Sequence, residues 1–189
     1  FFSCLILRDT IKIKAASLVT IVAIVVGVSI VHVELVHAAA LSSLSDTQSS
    51  LKVNTLSDHT FQFVTPTGIS AAQTISITFP APSGYATGTF AIANFDLATS
   101  TSATCSGFTD AAIQSGAASG LTWGVSQATA TIYITSGTAT IPANRCVQIQ
   151  IGSNATSSGT GVSQITNPTS AGVYSISLIA GADSGSINV

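Results

Sequence analysis

Thr74-Ile75-Ser76-Ile77-Thr78-Phe79 and Thr131-Ile132-Tyr133-Ile134-Thr135 decide the fold of this chain. In each, a branched or aromatic residue alternates with a polar one, the period of two that sends apolar side chains to one face of a strand. The same grammar runs through Thr60-Phe61-Gln62-Phe63-Val64, Cys146-Val147-Gln148-Ile149-Gln150-Ile151 and Val173-Tyr174-Ser175-Ile176-Ser177-Leu178-Ile179. Leu121-Thr122-Trp123-Gly124-Val125 and Ile187-Asn188-Val189 add two more strands. Strands that bury one face and wet the other belong to antiparallel sheets rather than to parallel sheets covered by helices. About seven of them predict an all-β, two-layer sandwich over residues 59–189. The shared T-I-x-I-T string reads as common strand grammar and not as duplication, because the flanks differ.

Working outward, the breakers fall between these runs: Thr65-Pro66-Thr67-Gly68, Pro80-Ala81-Pro82-Ser83-Gly84, Ser136-Gly137, Gly152-Ser153-Asn154, and Asn167-Pro168 with Gly172. Thr60 to Val64 is read as an edge strand suited to pairing with a neighbouring copy. Short helical turns are expected only at Ser70-Ala71-Ala72 and at Asp110-Ala111-Ala112-Ile113-Gln114, the latter with an Asp able to cap it. Residues 39–58, rich in Ser and Leu, fit a linker, a first strand around Leu51-Lys52-Val53 or the continuation of an anchor helix.

The amino end has a different character. Residues 15–31, AASLVTIVAIVVGVSIV, carry no charge, follow Arg8, Lys12 and Lys14, and precede Val36-His37-Ala38. A basic lead, an apolar middle and a small-x-small exit are the parts of an export signal, with cleavage expected after Ala38 and neighbouring registers offered by Ala39 and Ala40. Seventeen residues at a helical rise of about 1.5 Å span roughly 25 Å, slightly less than a bilayer core, so a hydrophobic helix retained as a membrane anchor is the alternative. In either case the basic lead holds the amino end on the cytoplasmic side, and residues 39–189 are expected to be secreted or displayed at the cell surface. Contact with membrane is expected only through the N-terminal segment. The absence of Met and the alternation in Ser186-Ile187-Asn188-Val189 predict a fragment of a longer product, with more chain expected after Val189.

Past Ala38 the charges are Lys52 and Arg145 against Asp46, Asp58, Asp96, Asp110 and Asp183, or minus three in 151 residues. That density is far below the roughly 25% usual in soluble domains. Nucleic-acid binding is disfavoured, because phosphate recognition needs clustered Lys and Arg. Low self-repulsion instead suits copies that pack side by side.

Cys4 falls within the leader, which leaves Cys105 and Cys146 as an even pair in an oxidising compartment, and a disulfide between them is expected. Closing a loop of 41 positions contributes about 4 kcal/mol in the chain-entropy view. Zinc fails on ligand number, since these two and His59 fall short of four, and no metal or cofactor is expected.

Catalytic constellations are equally thin. Ser57-Asp58-His59 has the residue types of a hydrolase triad, but triad members converge from separate elements, so the run reads as a polar turn entering the Phe61 strand. No G-x-S-x-G elbow is present, and Ser157-Ser158-Gly159-Thr160-Gly161 lacks the lysine of a phosphate loop and reads as a flexible hairpin end. Asp96, Asp110 and Asp183 lie near expected loops, as calcium ligands do, but none sits in a D-x-D-x-D run. Trp123, Tyr85, Tyr133 and Tyr174 supply the rings of an aromatic sugar platform, against which stands burial of Trp123 in the core. Asn154-Ala155-Thr156 fits the glycosylation pattern, while Asn167-Pro168-Thr169 is excluded by its proline. The ligand is not legible.

The run His59-Thr60-Phe61-Gln62-Phe63-Val64-Thr65-Pro66-Thr67-Gly68-Ile69, then Thr74 to Pro80, then Asn167-Pro168-Thr169-Ser170-Ala171-Gly172-Val173-Tyr174-Ser175-Ile176, resembles secreted immunoglobulin-like sandwich proteins of bacterial and archaeal cell surfaces. The resemblance implies an immunoglobulin-like antiparallel sandwich and an envelope setting, and it carries over no active site. The function expected from the whole reading is a noncatalytic structural or adhesive module whose partners are copies of itself or other surface proteins. The rivals are a pilin-like subunit with a retained helix and a carbohydrate-binding module. The pilin reading is disfavoured by Leu5, which stands where bacterial type IV pilins carry Glu, and by the buried charges it would require at Arg8, Asp9, Lys12 and Lys14.

Overall fold

The two T-I-x-I-T strings lie side by side, antiparallel, in the computed structural model, with Thr74 opposite Thr135, Ile75 opposite Ile134, Ile77 opposite Ile132 and Thr78 opposite Thr131. Palindromic spacing makes each threonine meet a threonine on the outer face, where the hydroxyls bond at 2.9 and 3.1 Å, while the four isoleucines go inward together. The structure describes residues 38–80 and 84–189, within a compact unit Val36–Val189. The apolar run and the basic lead of the leader lie outside the described residues.

The described chain is all-β, with one 3-10 turn at Ile92–Asn94. In order the strands are β1 (Ser42–Gln48), β2 (Leu56–Ser57), β3 (His59–Thr65), β4 (Thr74–Thr78), β5 (Phe95–Thr99), β6 (Thr109–Asp110), β7 (Ile113–Ser115), β8 (Trp123–Ala128), β9 (Thr131–Ser136), β10 (Arg145–Ile151), β11 (Ile165–Thr166), β12 (Ser175–Ala180) and β13 (Asp183–Asn188). One sheet runs β1-β3-β10-β5-β6 and a second runs β13-β12-β4-β9-β8-β7, with β11 and β2 paired apart from both. All pairings are antiparallel except β7 with β8.

The two large sheets share one core. Phe61, Phe63, Phe95, Leu97, Val147, Ile149 and Ile151 of the first meet Ile75, Ile77, Trp123, Ile132, Ile134, Ile176 and Leu178 of the second in a single buried cluster. The alternation in β4, β9 and β12 is the cause, since each of these strands turns every second residue into that cluster.

Three expectations are corrected. The Thr60–Val64 run is no edge, because β3 lies between β1 and β10. The first strand is Ser42–Gln48 and not the stretch around Leu51-Lys52-Val53, whose Leu and Val are exposed. The expected helical turn at Asp110 to Gln114 is split between β6 and β7, because Ile113-Gln114-Ser115 find a parallel partner in Trp123-Gly124-Val125, and pairing overrides weak local helix preference.

Candidate functional site

Strands β1 and β3 pair so that Gln48 faces His59 and Asp46 faces Phe61. On this short diagonal His59 Nδ1 lies 2.9 Å from Asp46 Oδ2, and both side chains are fully shielded from solvent. The imidazole is walled by aromatic rings, stacked on Phe61 at 5.7 Å and met edge-on by Phe79 at 5.6 Å and Tyr85 at 5.4 Å. Gln48 Nε2 donates both to Asp46 Oδ2, at 3.1 Å, and to the Tyr85 hydroxyl, at 3.0 Å. Asp46 Oδ1 and His59 Nε2 are buried without a hydrogen-bond partner. Burial pushes the Tyr85 phenol up from its ordinary value of 10.0, and the nearby Asp46 charge adds to the rise, against the opposing bond from Gln48.

Tyr85 and Gln48 form the inner wall of a cavity of about 220 Å³, closed further by Leu51, Val53, Asn167 and Tyr174. Asn167 holds the Leu51-Lys52-Val53 loop in place by donating through Nδ2 to the carbonyls of Ser50 and Lys52, at 2.8 and 3.0 Å. That loop carries bare apolar side chains at the cavity rim: Leu51 is 82% exposed and Val53 46%. A larger hollow of about 560 Å³, of mixed polar and apolar lining, lies elsewhere, bounded by Ile92, residues 110–115, Ser157 and Ser158.

Most other groups with chemical potential hold loops. Asp58 accepts from the backbone and hydroxyl of Ser153, Ser57 Oγ bonds the carbonyls of Ser50 and Asp58, and His59 turns to Asp46. The three adjacent residues with triad chemistry therefore point to three different partners. Asp96 accepts three successive backbone N–H groups, from Thr156, Ser157 and Ser158, plus the Ser158 hydroxyl, and Asn94 Oδ1 accepts those of Val162 and Ser163 at 2.7 Å. The glycine-rich segment read as a flexible hairpin end is in fact cradled by these two side chains.

Asp183 is fully buried and accepts four bonds, from Ala39 N at 3.1 Å, Thr67 N at 2.9 Å, Thr65 Oγ1 at 2.7 Å and Thr67 Oγ1 at 2.8 Å. Burial alone would raise its carboxyl, but the Thr67, Thr65 and Ala39 donors outweigh that and hold it below its ordinary value of 3.8. Gly68 makes the geometry available: at φ 81° it turns the chain so that Thr67 faces Asp183, and a Cβ there would stand 2.6 Å from the Ile141 carbonyl.

Asp96, Asp110 and Asp183 do not converge, and among the described residues no group of three or more His, Cys, Asp or Glu is placed to hold a metal. Trp123 is 2% exposed and cannot stack on a sugar, whereas Tyr85 and Tyr174 meet edge-on at 6.1 Å beside the cavity. Asn154 donates its amide nitrogen to the His59 carbonyl and the Thr60 hydroxyl, so the atom that glycosylation would modify is engaged in the fold. Cys105 and Cys146 are joined, which is compatible with an extracytoplasmic protein. Among the described residues no helix is long and apolar enough to cross a membrane. No protein-family model matches this sequence, and no curated protein matches it.

Proposed function

We propose that residues 39–189 form an exported, noncatalytic, immunoglobulin-like sandwich that serves as a structural or adhesive module at the cell surface and associates with copies of itself through β13. The outer edge of β13 beyond Ser184, free of a partner strand among the described residues, carries this reading. Val189 exchanges both backbone bonds with Tyr174, so by strand alternation residues 185 and 187 face β12 while 184, 186 and 188 face outward. Ser184 is occupied by the segment at residues 39–41. Ser186 and Asn188 remain, on a stretch, Ser184-Gly185-Ser186-Ile187-Asn188, without a charge or a proline. Soluble proteins ordinarily blunt such an edge with lysine, proline or a bulge. An edge left open is suited to strand addition.

The low charge past Ala38, the leader pattern and the disulfide supply the setting. The test is assembly. Purified exported protein is expected to form concentration-dependent oligomers or polymers, seen by light scattering and electron microscopy. Ser186→Lys, at an exposed position, is expected to leave a folded monomer. Parent protein that stays strictly monomeric at millimolar concentration would refute self-association.

A further inference from the structure

We propose that cleavage of the Ala38–Ala39 bond creates a structural N-terminus, in which the freed α-ammonium of Ala39 pairs with the buried carboxylate of Asp183 and fastens the start of the mature chain to the body. The inference rests on the exported reading above and adds a cleavage register and a role for the new terminus. In the hydrolysis one water is consumed, the C–N bond breaks, Ala38 departs with a carboxylate, and the Ala39 amine takes up a proton.

The geometry singles out one nitrogen. Ala39 N donates to Asp183 Oδ1 at 3.1 Å, whereas the Leu41 nitrogen donates instead to the Ser184 carbonyl at 2.9 Å. Ser184 N donates back to the Ala39 carbonyl at 3.0 Å, and Ala40 bridges Ser184 in parallel, so residues 39–41 are laid along the beginning of β13. Leu41 is buried. Ala39 is half-buried and Ala38 exposed, which leaves water within reach of the remaining ammonium protons. Signal-peptide chemistry independently allows cuts after residues 38, 39 or 40, and of these only the first places a terminal nitrogen on the carboxylate.

Among the described residues the carboxylate has no cation beside it. Its other three donors, from Thr65 and Thr67, are neutral. Arg145 stands opposite Thr65 in the β3–β10 ladder but makes no ion pair with Asp183. Buried charges are ordinarily paired as well as hydrogen-bonded. An α-ammonium at Ala39 completes the set without moving the backbone.

The test uses the full chain expressed in an exporting bacterium, with N-terminal sequencing and intact mass of the extracytoplasmic product. The expected product begins at Ala39, and its α-amine reacts with an acylating reagent at neutral pH at least tenfold more slowly than that of an unstructured peptide of the same first residues. One glycine inserted between Ala38 and Ala39 keeps the Ala39 N–H but moves the charge away. That variant is expected to lose the protection and melt at lower temperature. The difference should be full below the ordinary α-amino range of about 7.7–8.0 and fade as pH rises through the higher native value, since an amine raised by a partner stabilises only while protonated. A product beginning at Ala40 or Leu41, or one beginning at Ala39 with an amine as reactive as the peptide's, overturns this inference and leaves export standing. An intact chain confined to the cytosol overturns both.

Discussion

Asp183 and Asp46 are two carboxylates whose side chains are withdrawn from water, and their surroundings differ in kind. Asp183 has both oxygens engaged, two donors on each, and those donors come from the start of the described chain and from the exit of β3. Asp46 crowds His59 and Gln48 onto one oxygen and leaves the other without a partner, and the histidine it faces has an unpartnered nitrogen as well. A fully satisfied buried acid is a clamp, whereas a half-satisfied one beside a cavity keeps bonding capacity that the fold does not use. The contrast separates a carboxylate whose hydrogen-bonding capacity is filled from one that adjoins an exposed apolar rim.

The largest expected effect comes from breaking the clamp. Asp183→Ala leaves the buried Thr65 hydroxyl without an acceptor and removes three further bonds to a buried carboxylate, from the exposed Thr67 and half-buried Ala39. At about 1.5–3 kcal/mol for each hydrogen bond to a charged group, partly offset where water reaches Thr67 and Ala39, a loss of about 3–5 kcal/mol is expected in denaturant unfolding. The same clamp sets acid sensitivity. Because the native carboxyl is held below 3.8, its contribution is complete above that value and disappears as pH falls through the native one, so the acid limb of a stability–pH curve should flatten in Asp183→Asn. An unchanged acid limb would show that other carboxylates control it.

The second effect is smaller and has a different signature. Asp46→Ala strands His59 Nδ1 and is expected to cost about 2–3 kcal/mol. Replacing both partners with apolar residues, Asp46→Leu with His59→Phe, removes two groups that were only half satisfied and should bring stability to within about 1 kcal/mol of the parent, since replacing both partners of a buried hydrogen bond by apolar groups of similar shape is nearly neutral. The aromatic walls of Phe61, Phe79 and Tyr85 are the packing surface for the new ring. If the double variant is no more stable than Asp46→Ala, the pair is a second clamp and the distinction drawn between the two acids is wrong.

The clamp and the pair differed equally in how far the sequence disclosed them. Strands β4, β9, β10 and β12 were legible because their alternating Ile, Val and Leu have one physical reading. Strand β1, SSLSDTQ, was not, because the inward diagonal it presents to His59 is Asp46 and Gln48, and a polar pair buried by a partner strand leaves no hydrophobic period to detect. The same concealment hid the candidate site, since both residues belong to it. Strand β5, Phe-Asp-Leu-Ala-Thr, was missed for a related reason: Phe95, Asp96, Leu97 and Ala98 are buried in succession, with Asp96 turned to the loop at residues 156–158. Asp183 was visible only as a turn aspartate, and no local rule connects it to Thr65 or Ala39 across more than a hundred residues. Cys105 and Cys146 were the exception, because a long-range contact between two cysteines has its own chemical marker.

The smallest effect sharpens the comparison at the cavity wall. Tyr85→Phe keeps the ring that packs on His59 and Phe79 and removes only the oxygen that accepts from Gln48, whose amide still has Asp46. A loss of about 0.5–1.5 kcal/mol is expected near neutral pH. The alkaline side tells more. With its phenol raised above 10.0, Tyr85 ionises later in the folded chain than in the unfolded one, so above that value the unfolded state sheds its proton first and stability declines. In Tyr85→Phe that decline should be shallower, and an ultraviolet titration should lose its most alkaline tyrosine component. If the component persists, it does not belong to Tyr85, and the wall between cavity and carboxylate is wetter than the buried Asp46–His59 pair requires.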